Sequence, residues 1–209
     1  MKVLLAEDHP IVRVGIREIL TRSFKDVFVA EASNARQFWG QLAKHRWDLI
    51  LLDITLPGRS GLDVLRQLKD ERPKLPVLVL SIHSENEYGV RALRAGASGY
   101  LNKEALPEQL LQAINKVLKG GVYVSDSLAE RLAMDLTRKS TLLPHETLTD
   151  REYEVMRLIA AGMTSGEIAS KLCLSVKTIS TFRAHLLQKT GMRNNAAIMH
   201  YAIKHKLVD

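Results

Sequence analysis

The segment Leu49-Ile50-Leu51-Leu52-Asp53 decides how the first half of the chain folds, since four apolar residues end on a carboxylate. It is followed at once by Ile54-Thr55-Leu56-Pro57-Gly58-Arg59-Ser60-Gly61, whose proline and glycines are typical of a loop. A short, wholly apolar run predicts a strand that is buried on both faces, as in a parallel sheet. Because open α/β sheets carry their chemistry beyond the carboxyl ends of such strands, Asp53 is predicted to be reactive.

Three other strand candidates also end on polar side chains. The acid pair Glu7-Asp8 follows the first apolar run, Ser81 follows the fourth, and Lys103 follows the fifth. Because the carboxyl ends of parallel strands meet at one edge of a sheet, we expect these side chains to converge on Asp53. Two acids, a hydroxyl group and an amine around one carboxylate would make a compact charged pocket.

From the start to about residue 120, short β-branched runs alternate with amphipathic helical stretches, which predicts an α/β domain with a five-stranded parallel sheet. The predicted strands are Lys2 to Ala6, Val27 to Ala32, Leu49 to Asp53, Val77 to Leu80 and Gly99 to Leu101. The predicted helices begin near Ile11, Asn34, Gly61, Glu85 and Leu106. Pro10 and Pro107 suit first helical turns, and Ser33 is predicted to cap the second helix.

The alternation stops near Gly120-Gly121, and the residues that follow have no clear pattern, although Ser125 to Leu136 could form a short helix. From Thr147 onward only helices are predicted. The predicted domains are an α/β domain at residues 1–118, a partly helical linker at 119–146 and an all-α four-helix domain at 147–209.

Four helix starts are visible in the predicted C-terminal domain. Capping boxes of the form Ser/Thr-x-x-Glu predict the first two, at Thr149 to Glu152 and at Thr164 to Glu167. Ser175 predicts the third start, and Asn194 or Asn195 predicts the fourth. Only the turn at 173–175 separates the second helix from the third, which is the arrangement of a helix-turn-helix.

Composition limits the class of protein. Hydrophobic residues make up 46% of the 209 residues, enough to fill the cores of two domains. No uninterrupted apolar run approaches about eighteen residues and no signal peptide is visible, so we expect a cytoplasmic protein without membrane contact. The net charge of +7 favours a polyanionic partner. The single cysteine, Cys173, is interpreted as a small apolar filler, and His9, His45 and His83 as surface or packing residues.

The polar strand ends suit an aspartate that accepts a phosphoryl group, because the charge on the transferred oxygens requires cations and hydrogen-bond donors. Mg²⁺ suits such a site, since it binds through one or two carboxylates and keeps places for water and phosphate oxygens. The predicted Mg²⁺ ligands are Glu7, Asp8, Asp53 and the backbone carbonyl of Thr55. Lys103 would pair with the phosphoryl charge, and Ser81 would donate a hydrogen bond to one phosphoryl oxygen.

The second helix of the helix-turn-helix, residues 176 to about 189, has two different faces. The predicted inward stripe is Val176, Ile179, Phe182 or Arg183, and Leu186, and the outward face carries Lys177, Ser180, Thr181, Ala184 and Gln188. Because this outward face is small and polar, the helix can enter a major groove. Lys177 would reach a DNA phosphate, and Arg183 would contact either the DNA backbone or a guanine base. Ser180 and Thr181 would meet base edges or a thymine methyl group.

Four motifs, Glu7-Asp8, Asp53 to Pro57, Ser81 and Tyr100 to Lys103, together resemble the receiver domain of bacterial two-component response regulators. The resemblance covers residues 1 to about 118. It implies a flavodoxin-like, doubly wound sheet. It also implies a phosphoaspartate at Asp53, made with Mg²⁺ from the phosphodonor of a sensor histidine kinase.

The same resemblance implies a switch pair, in which the Ser81 hydroxyl moves toward the phosphate and the Tyr100 ring follows it inward. The chain departs from the usual receiver pattern at Leu56, where methionine is more usual, and at Glu104, where many receivers have proline. Neither departure touches the predicted chemistry, although the second could loosen the loop that holds Lys103.

Five motifs in the last third, Leu148 to Glu152, Gly162, Glu167 to Ala169, Leu174 to Ile179 and Lys189 to Gly191, closely resemble the LuxR-type helix-turn-helix. With the receiver motifs, they make the chain similar to the NarL/FixJ family of response regulators. That family implies a homodimer on promoter DNA, formed through the last helix, Asn195 to His205, with RNA polymerase as a possible partner. The predicted DNA contacts are Lys177, Thr178, Ser180, Thr181, Arg183, Ala184, Gln188 and Lys189. The chain departs from the family at two of the groove positions: Ser180 stands where lysine is frequent, and Phe182 stands where histidine is frequent.

The sequence favours a DNA-binding transcription regulator that phosphorylation of Asp53 controls, without enzymatic turnover beyond slow loss of its own phosphoryl group. A phosphohydrolase could instead use Asp53 as a nucleophile, although Thr55 stands where one such class has its general acid. A receiver without phosphate control could act as an adaptor, and the C-terminal helices could bind a protein. From residue 144 onward, the chain contains nine lysines and arginines and six acidic residues, so this domain is only mildly basic. We therefore expect its affinity for DNA to depend on dimerisation.

Overall fold

The structure, a computed structural model, describes residues 1–57, 60–83, 85–104, 107–137 and 143–208. The chain forms two compact units, Met1–Asp135 and Leu136–Asp209. The predicted helix start near Leu106 and residues 138–142 of the predicted linker lie outside the described residues, and the domain limits drawn from the sequence stay predictions. Within the described ranges, no helix combines the length and the apolar character that crossing a membrane requires.

The N-terminal unit contains one parallel sheet with the strand order β2-β1-β3-β4-β5. The strands are β1 (Lys2–Ala6), β2 (Phe28–Ala32), β3 (Leu49–Asp53), β4 (Val77–Ser81) and β5 (Gly99–Asn102). This is the doubly wound, flavodoxin-like order. Strand β2 is added on one side of β1 and the later strands on the other side, so the order of addition reverses between β1 and β3. The predicted α/β fold class is confirmed, and strand limits differ from the predicted ones by one residue at most.

Six helices belong to this part of the chain: α1 (Pro10–Ser23), α2 (Ala35–Leu42), α3 (Gly61–Glu71), α4 (Glu85–Arg94), α5 (Pro107–Leu118) and α6 (Asp126–Thr137). Pro10 lies in the first turn of α1, as predicted. The predicted cap at Ser33 is wrong by one residue, because the Asn34 side chain accepts the hydrogen bond from the Gln37 N–H at 2.9 Å. Ser33 instead donates to the Gln37 side chain.

The central strands are held rigidly because they are buried on both faces. Every residue of β3 and of β4 is buried. On one side of the sheet, leucines of the strands pack with Leu20 of α1 and with Ile114 and Val117 of α5. A fully buried leucine or isoleucine side chain stabilises the fold by about 1.5–3 kcal/mol relative to an exposed one. The polar residues at the strand ends therefore start from fixed positions.

The segment after α5 packs on the N-terminal unit. The Tyr123 N–H donates to the Ser98 carbonyl at 2.9 Å, and the Tyr100 N–H donates to the Tyr123 carbonyl at 3.1 Å. In α6, Leu128 is buried against Gly89 of α4, where an added Cβ atom would lie 2.8 Å from the leucine. The residues 122–128, which the sequence assigned to the linker, are thus in contact with β5 and α4.

The C-terminal unit is helical, and its predicted four-helix architecture is confirmed. A 3₁₀ helix at Pro144–Thr147 precedes α7 (Asp150–Ala160), α8 (Ser165–Leu172), α9 (Val176–Thr190) and α10 (Asn195–Lys204). Both predicted capping boxes are present, and the Asn194 side chain caps α10. The buried residues that join the four helices include Tyr153, Met156, Ile168, Ile179, Leu186 and Ile198.

Candidate functional site

Three charged side chains meet at the carboxyl edge of the sheet, where Asp53 ends β3, Glu7 follows β1 and Lys103 follows β5. The Lys103 Nζ atom lies 2.7 Å from Asp53 Oδ2 and 2.7 Å from Glu7 Oε2. Both carboxylates are fully buried, and the lysine side chain is 6% exposed. This is therefore a buried ion-pair cluster, in which removing one charge has a large effect, and not a surface salt bridge.

The lysine of this cluster keeps its proton. Burial by itself lowers the pKa of Lys103, because it takes the ammonium group out of water. The charge and hydrogen bond of Asp53, with those of Glu7, raise the pKa, and the net result lies above the ordinary lysine value. One positive charge thus faces two buried carboxylates, so the pocket remains negative and attracts a further cation.

The loop after β3 holds the Asp53 carboxylate from the other side. The Thr55 N–H donates to Asp53 Oδ1 at 2.9 Å, and the Thr55 hydroxyl group lies 2.8 Å from both carboxylate oxygens. The loop returns so closely that the Gly61 N–H donates to the Ile54 carbonyl at 3.0 Å. A Cβ atom at Gly61 would lie 2.4 Å from the Asp53 backbone oxygen, so only glycine fits. The sequence places Gly61 at the end of the loop and at the start of the next helix, and neither position reveals this constraint.

An acidic cluster extends from the buried pair toward the surface. Four side chains each place one potential metal-ligand atom within 4.8 Å of the others: Glu7, Asp8, His9 and Asp53. Two carboxylate oxygens of this cluster already have a nitrogen partner, Glu7 Oε2 with Lys103 Nζ at 2.7 Å and Asp8 Oδ1 with His9 Nδ1 at 2.8 Å. His9, interpreted as a surface or packing residue, has a side chain that is 59% exposed, and its Nδ1 atom contacts both acids.

Ser81 and Tyr100 are connected through the backbone of a single residue. The His83 N–H donates to the Ser81 hydroxyl oxygen at 3.0 Å, and the Tyr100 hydroxyl donates to the His83 carbonyl at 2.8 Å. Both side chains are fully buried. The Lys103 N–H donates to the Ser81 carbonyl at 2.8 Å, which links this pair to the ion-pair cluster. His83 was interpreted as a surface or packing residue, and its ring does lie 5.0 Å from that of Tyr88, but its backbone also connects Ser81 with Tyr100.

The turn between α8 and α9 is short, as a helix-turn-helix requires. The Ser175 hydroxyl caps α9 by accepting from the Thr178 N–H at 3.0 Å. Cys173 ends α8 in the left-handed conformation, with φ of 53°, and its side chain is exposed. The interpretation of Cys173 as an apolar filler is therefore wrong, because the left-handed turn directs this position away from the core.

The two faces of α9 differ in burial. Ile179 and Leu186 are fully buried, but Val176 is 52% exposed, so its place in the inward stripe is wrong. Val176 is the first residue of the helix. The side chains of the opposite face are all exposed: Lys177, Ser180, Thr181, Ala184 and Gln188. Their contacts with DNA stay predictions.

Three other predicted DNA contacts are engaged within the C-terminal unit. Arg183 Nε donates to the Asn195 side chain at 2.7 Å, and the Thr178 hydroxyl lies 2.8 Å from that of Ser175. Lys189 Nζ lies 2.7 Å from Glu152 Oε2. Burial raises the pKa of Glu152. The hydrogen bonds from Lys189 and from the helix cap lower this pKa by more than burial raises it, so the net pKa is below the ordinary value. Lys189 thus has a structural partner on α7.

Comparison with known proteins agrees with this arrangement. Residues 3–115 match the response regulator receiver domain family, and residues 146–202 match the LuxR family of bacterial regulatory proteins. The oxygen regulatory protein NreC of Staphylococcus aureus is 35% identical to the chain over 216 residues, which cover the full length of both proteins.

Two solved structures show the same architecture over nearly the whole chain. RcsB from Salmonella enterica serovar Typhimurium, bound to promoter rprA with the phosphomimetic BeF₃⁻, is 28% identical with a TM-score of 0.66, covering 96% of this chain and 97% of that one. A structure of two RcsB dimers bound to two parallel DNAs is 28% identical with a TM-score of 0.60, covering 100% of this chain and 99% of that one. The chain belongs to the NarL/FixJ family of two-component response regulators, transcription regulators that join a receiver domain to a LuxR-type DNA-binding domain.

Proposed function

We propose that Asp53 accepts a phosphoryl group from a sensor histidine kinase in the cytoplasm, and that this modification controls how α9 binds promoter DNA. The observation that carries the proposal is the contact of Lys103 Nζ with both Asp53 and Glu7 at 2.7 Å in a buried pocket. A lysine between two carboxylates is ready to pair with a new negative charge without moving far.

The transfer breaks the bond between phosphorus and a nitrogen of the kinase histidine, and it forms a bond between phosphorus and a carboxylate oxygen of Asp53. Lys103 would then pair with the phosphoryl oxygens. The Ser81 hydroxyl accepts from the His83 N–H, so its own hydrogen can be donated to a phosphoryl oxygen. Three contacts of Thr55 hold the carboxylate in one orientation, which favours attack along a single line.

The acidic cluster fits Mg²⁺, because carboxylate oxygens are hard ligands and those of Glu7, Asp8 and Asp53 lie within 4.8 Å of one another. Glu7, Asp8 and Asp53 would hold the ion, with the Thr55 carbonyl as the further expected ligand. When bound, the ion supplies positive charge that offsets the repulsion between the phosphoryl oxygens and the carboxylates.

The signal would leave the pocket through residue 83. When Ser81 turns toward the phosphoryl group, the His83 N–H loses its acceptor, and the same residue carries the carbonyl that holds Tyr100. The next described residue, Glu85, begins α4 and hydrogen-bonds Ser125 directly before α6. A shift of α4 would therefore loosen α6, the helix that leads toward the DNA-binding unit.

The DNA-binding form would be a homodimer that places α9 in two major grooves. RcsB, which has the same architecture, is bound to promoter DNA in one structure and forms dimers on DNA in another. On α10, the predicted dimer helix, Met199 and Ile203 are exposed apolar side chains that a second copy would cover. RNA polymerase would be a further partner at the promoter.

Labelling with acetyl phosphate and Mg²⁺, followed by promoter binding, tests the proposal. The wild-type chain should incorporate one phosphoryl group and bind promoter fragments more tightly afterwards, whereas Asp53→Asn should do neither. Asp70→Asn, which removes an exposed acid, is the matched control and should behave as wild type. An Asp53→Asn variant that still responds fully would end the proposal, and steady turnover of a phosphomonoester would favour a phosphohydrolase instead.

A further inference from the structure

An open cavity of about 820 Å³ lies at the amino edge of the sheet, where the strands begin, on the side opposite to Asp53. Residues 43–48, between α2 and β3, form one side of it, and residues 72 and 74–76, between α3 and β4, form the other. Its volume is within the range of about 300–1,000 Å³ that small-molecule sites have. The cavity is thus separate from both the acidic pocket and α9.

The lining of this cavity is strongly basic. It contains four cations, Lys44, Arg46, Arg72 and Lys74, and one acid, Asp48, so its net charge is +3 with histidine counted as neutral. The whole chain carries +7, of which residues 144–209 contribute +3, which leaves +4 for residues 1–143. The excess positive charge of this cavity is therefore nearly as large as that of the whole N-terminal part.

The fold itself does not neutralise these cations. Lys44, Arg46 and Lys74 are exposed, and within the described part of the chain none of the three forms an ion pair. The Asp48 carboxylate is already engaged, because its Oδ2 atom accepts from the Lys2 N–H at 2.7 Å. The cavity thus presents several cations that are available to a ligand.

Cations that follow a helix often serve only the free carbonyl groups of its last turn. Arg72 does so in part, because its Nη2 atom donates to the Leu42 carbonyl at the end of α2 at 3.2 Å. The Trp47 Nε1 atom donates to the same carbonyl at 3.3 Å, so this group already has two donors. Arg46 and Lys74 lie beyond the last turns of α2 and α3, outside the range in which a helix dipole acts. Helix capping therefore does not account for these two side chains.

We infer that this cavity, called the basic cavity below, binds a small ligand that carries a diphosphate group. The ends of α2 and α3 each contribute about −0.5 charge, which lowers the local charge from +3 to about +2 and leaves it attractive to a polyanion. A diphosphate has two phosphorus centres, so cations from the two segments can each meet one phosphate. Arg72 uses one N–H group on Leu42 and keeps others of its planar fork for phosphate oxygens.

Titration calorimetry of the full-length chain with pyrophosphate and with ADP, in EDTA and without a phosphodonor, tests the inference. EDTA removes divalent ions, so the acidic pocket around Asp53 stays negative and repels both ligands. The wild-type chain should bind pyrophosphate, and added salt should weaken the binding because exposed charges are screened. Equal affinities would assign the basic cavity to the diphosphate group alone, and tighter binding of ADP would assign it to a nucleotide.

Two double variants make the result decisive. Arg46→Gln with Lys74→Gln removes one exposed cation from each segment, so pyrophosphate should bind at least about tenfold more weakly while the melting temperature stays unchanged. Lys25→Gln with Lys119→Gln removes two exposed lysines outside the lining and should bind as wild type, although its net charge falls equally. A wild-type chain that binds neither ligand, or an equal loss of affinity in both double variants, would overturn the inference.

Discussion

Replacing Lys103 with methionine would leave two carboxylates, those of Glu7 and Asp53, buried without their counter-charge. Lys103 Nζ lies 2.7 Å from an oxygen of each acid, and both acids are fully buried, so neither can relax into water. Methionine keeps much of the lysine volume, so the loss is electrostatic and not that of a cavity. Because breaking a buried pair by removing one partner costs about 3–5 kcal/mol, we expect the free energy of unfolding to fall by about 3 kcal/mol or more.

Tryptophan fluorescence during a urea titration measures this loss, because both tryptophans, Trp39 and Trp47, belong to the N-terminal unit. Lys25→Met, at an exposed lysine, is the matched control and should change stability by less than about 0.5 kcal/mol. Adding Asp53→Asn to Lys103→Met should recover part of the loss, since one buried charge disappears. A loss below about 1 kcal/mol in Lys103→Met, or no recovery in the double variant, would refute this reasoning.

Gly61→Ala should destabilise the loop after β3 and slow labelling by acetyl phosphate, because a Cβ atom would lie 2.4 Å from a backbone oxygen. Gly15→Ala, which meets nothing within 4 Å among the described residues, should instead stabilise α1 by about 1 kcal/mol. Lys177→Ala should weaken promoter binding uniformly and reduce the salt slope by about one, measured by fluorescence anisotropy, whereas Lys189→Ala should mainly lower the melting temperature. The raised pKa of Lys103 means that its stabilisation is complete below the unfolded value of 10.5 and is lost as the pH rises through the higher folded value. Urea titrations from about pH 7 to pH 9 should therefore show a constant gap between wild type and Lys103→Met.

Each of these outcomes can fail in a recognisable way. Equal labelling rates for the two glycine variants would show that the loop tolerates a side chain. An unchanged salt slope in Lys177→Ala would remove that residue from the DNA contacts. A gap that closes between neutral and mildly alkaline pH would mean that the folded-state pKa of Lys103 lies below the ordinary lysine value.

The fold was predictable because its signals are local. Four consecutive apolar residues before Asp53 allow a strand that is buried on both faces and little else. The positions of Glu7 and Lys103 followed from parallel topology alone, since strand ends of one direction share one edge. Fold and strand ends could therefore be derived without knowledge of any long-range contact.

The remaining features depend on geometry that spacing does not encode. The close approach of Gly61 to the Asp53 backbone depends on the path of a loop, and the exposure of Cys173 depends on a left-handed turn. Lys189 meets Glu152 across 37 residues, a pairing that no helical periodicity reveals. The contacts of the exposed His9 ring with Asp8 and Glu7 were missed, because adjacency in the sequence does not fix the direction of a side chain.

The contact of Tyr123 with Ser98 and Tyr100 affects the outer edge of the sheet. β5 is an edge strand, and such strands offer unpaired N–H and carbonyl groups to any extended segment that passes. The backbone of Tyr123 occupies two of these groups and so blocks strand addition from another molecule. If the segment 122–128 detaches during activation, the backbone groups that Tyr123 had paired become available to a strand of another molecule. Prolonged activation would then carry a risk of self-association.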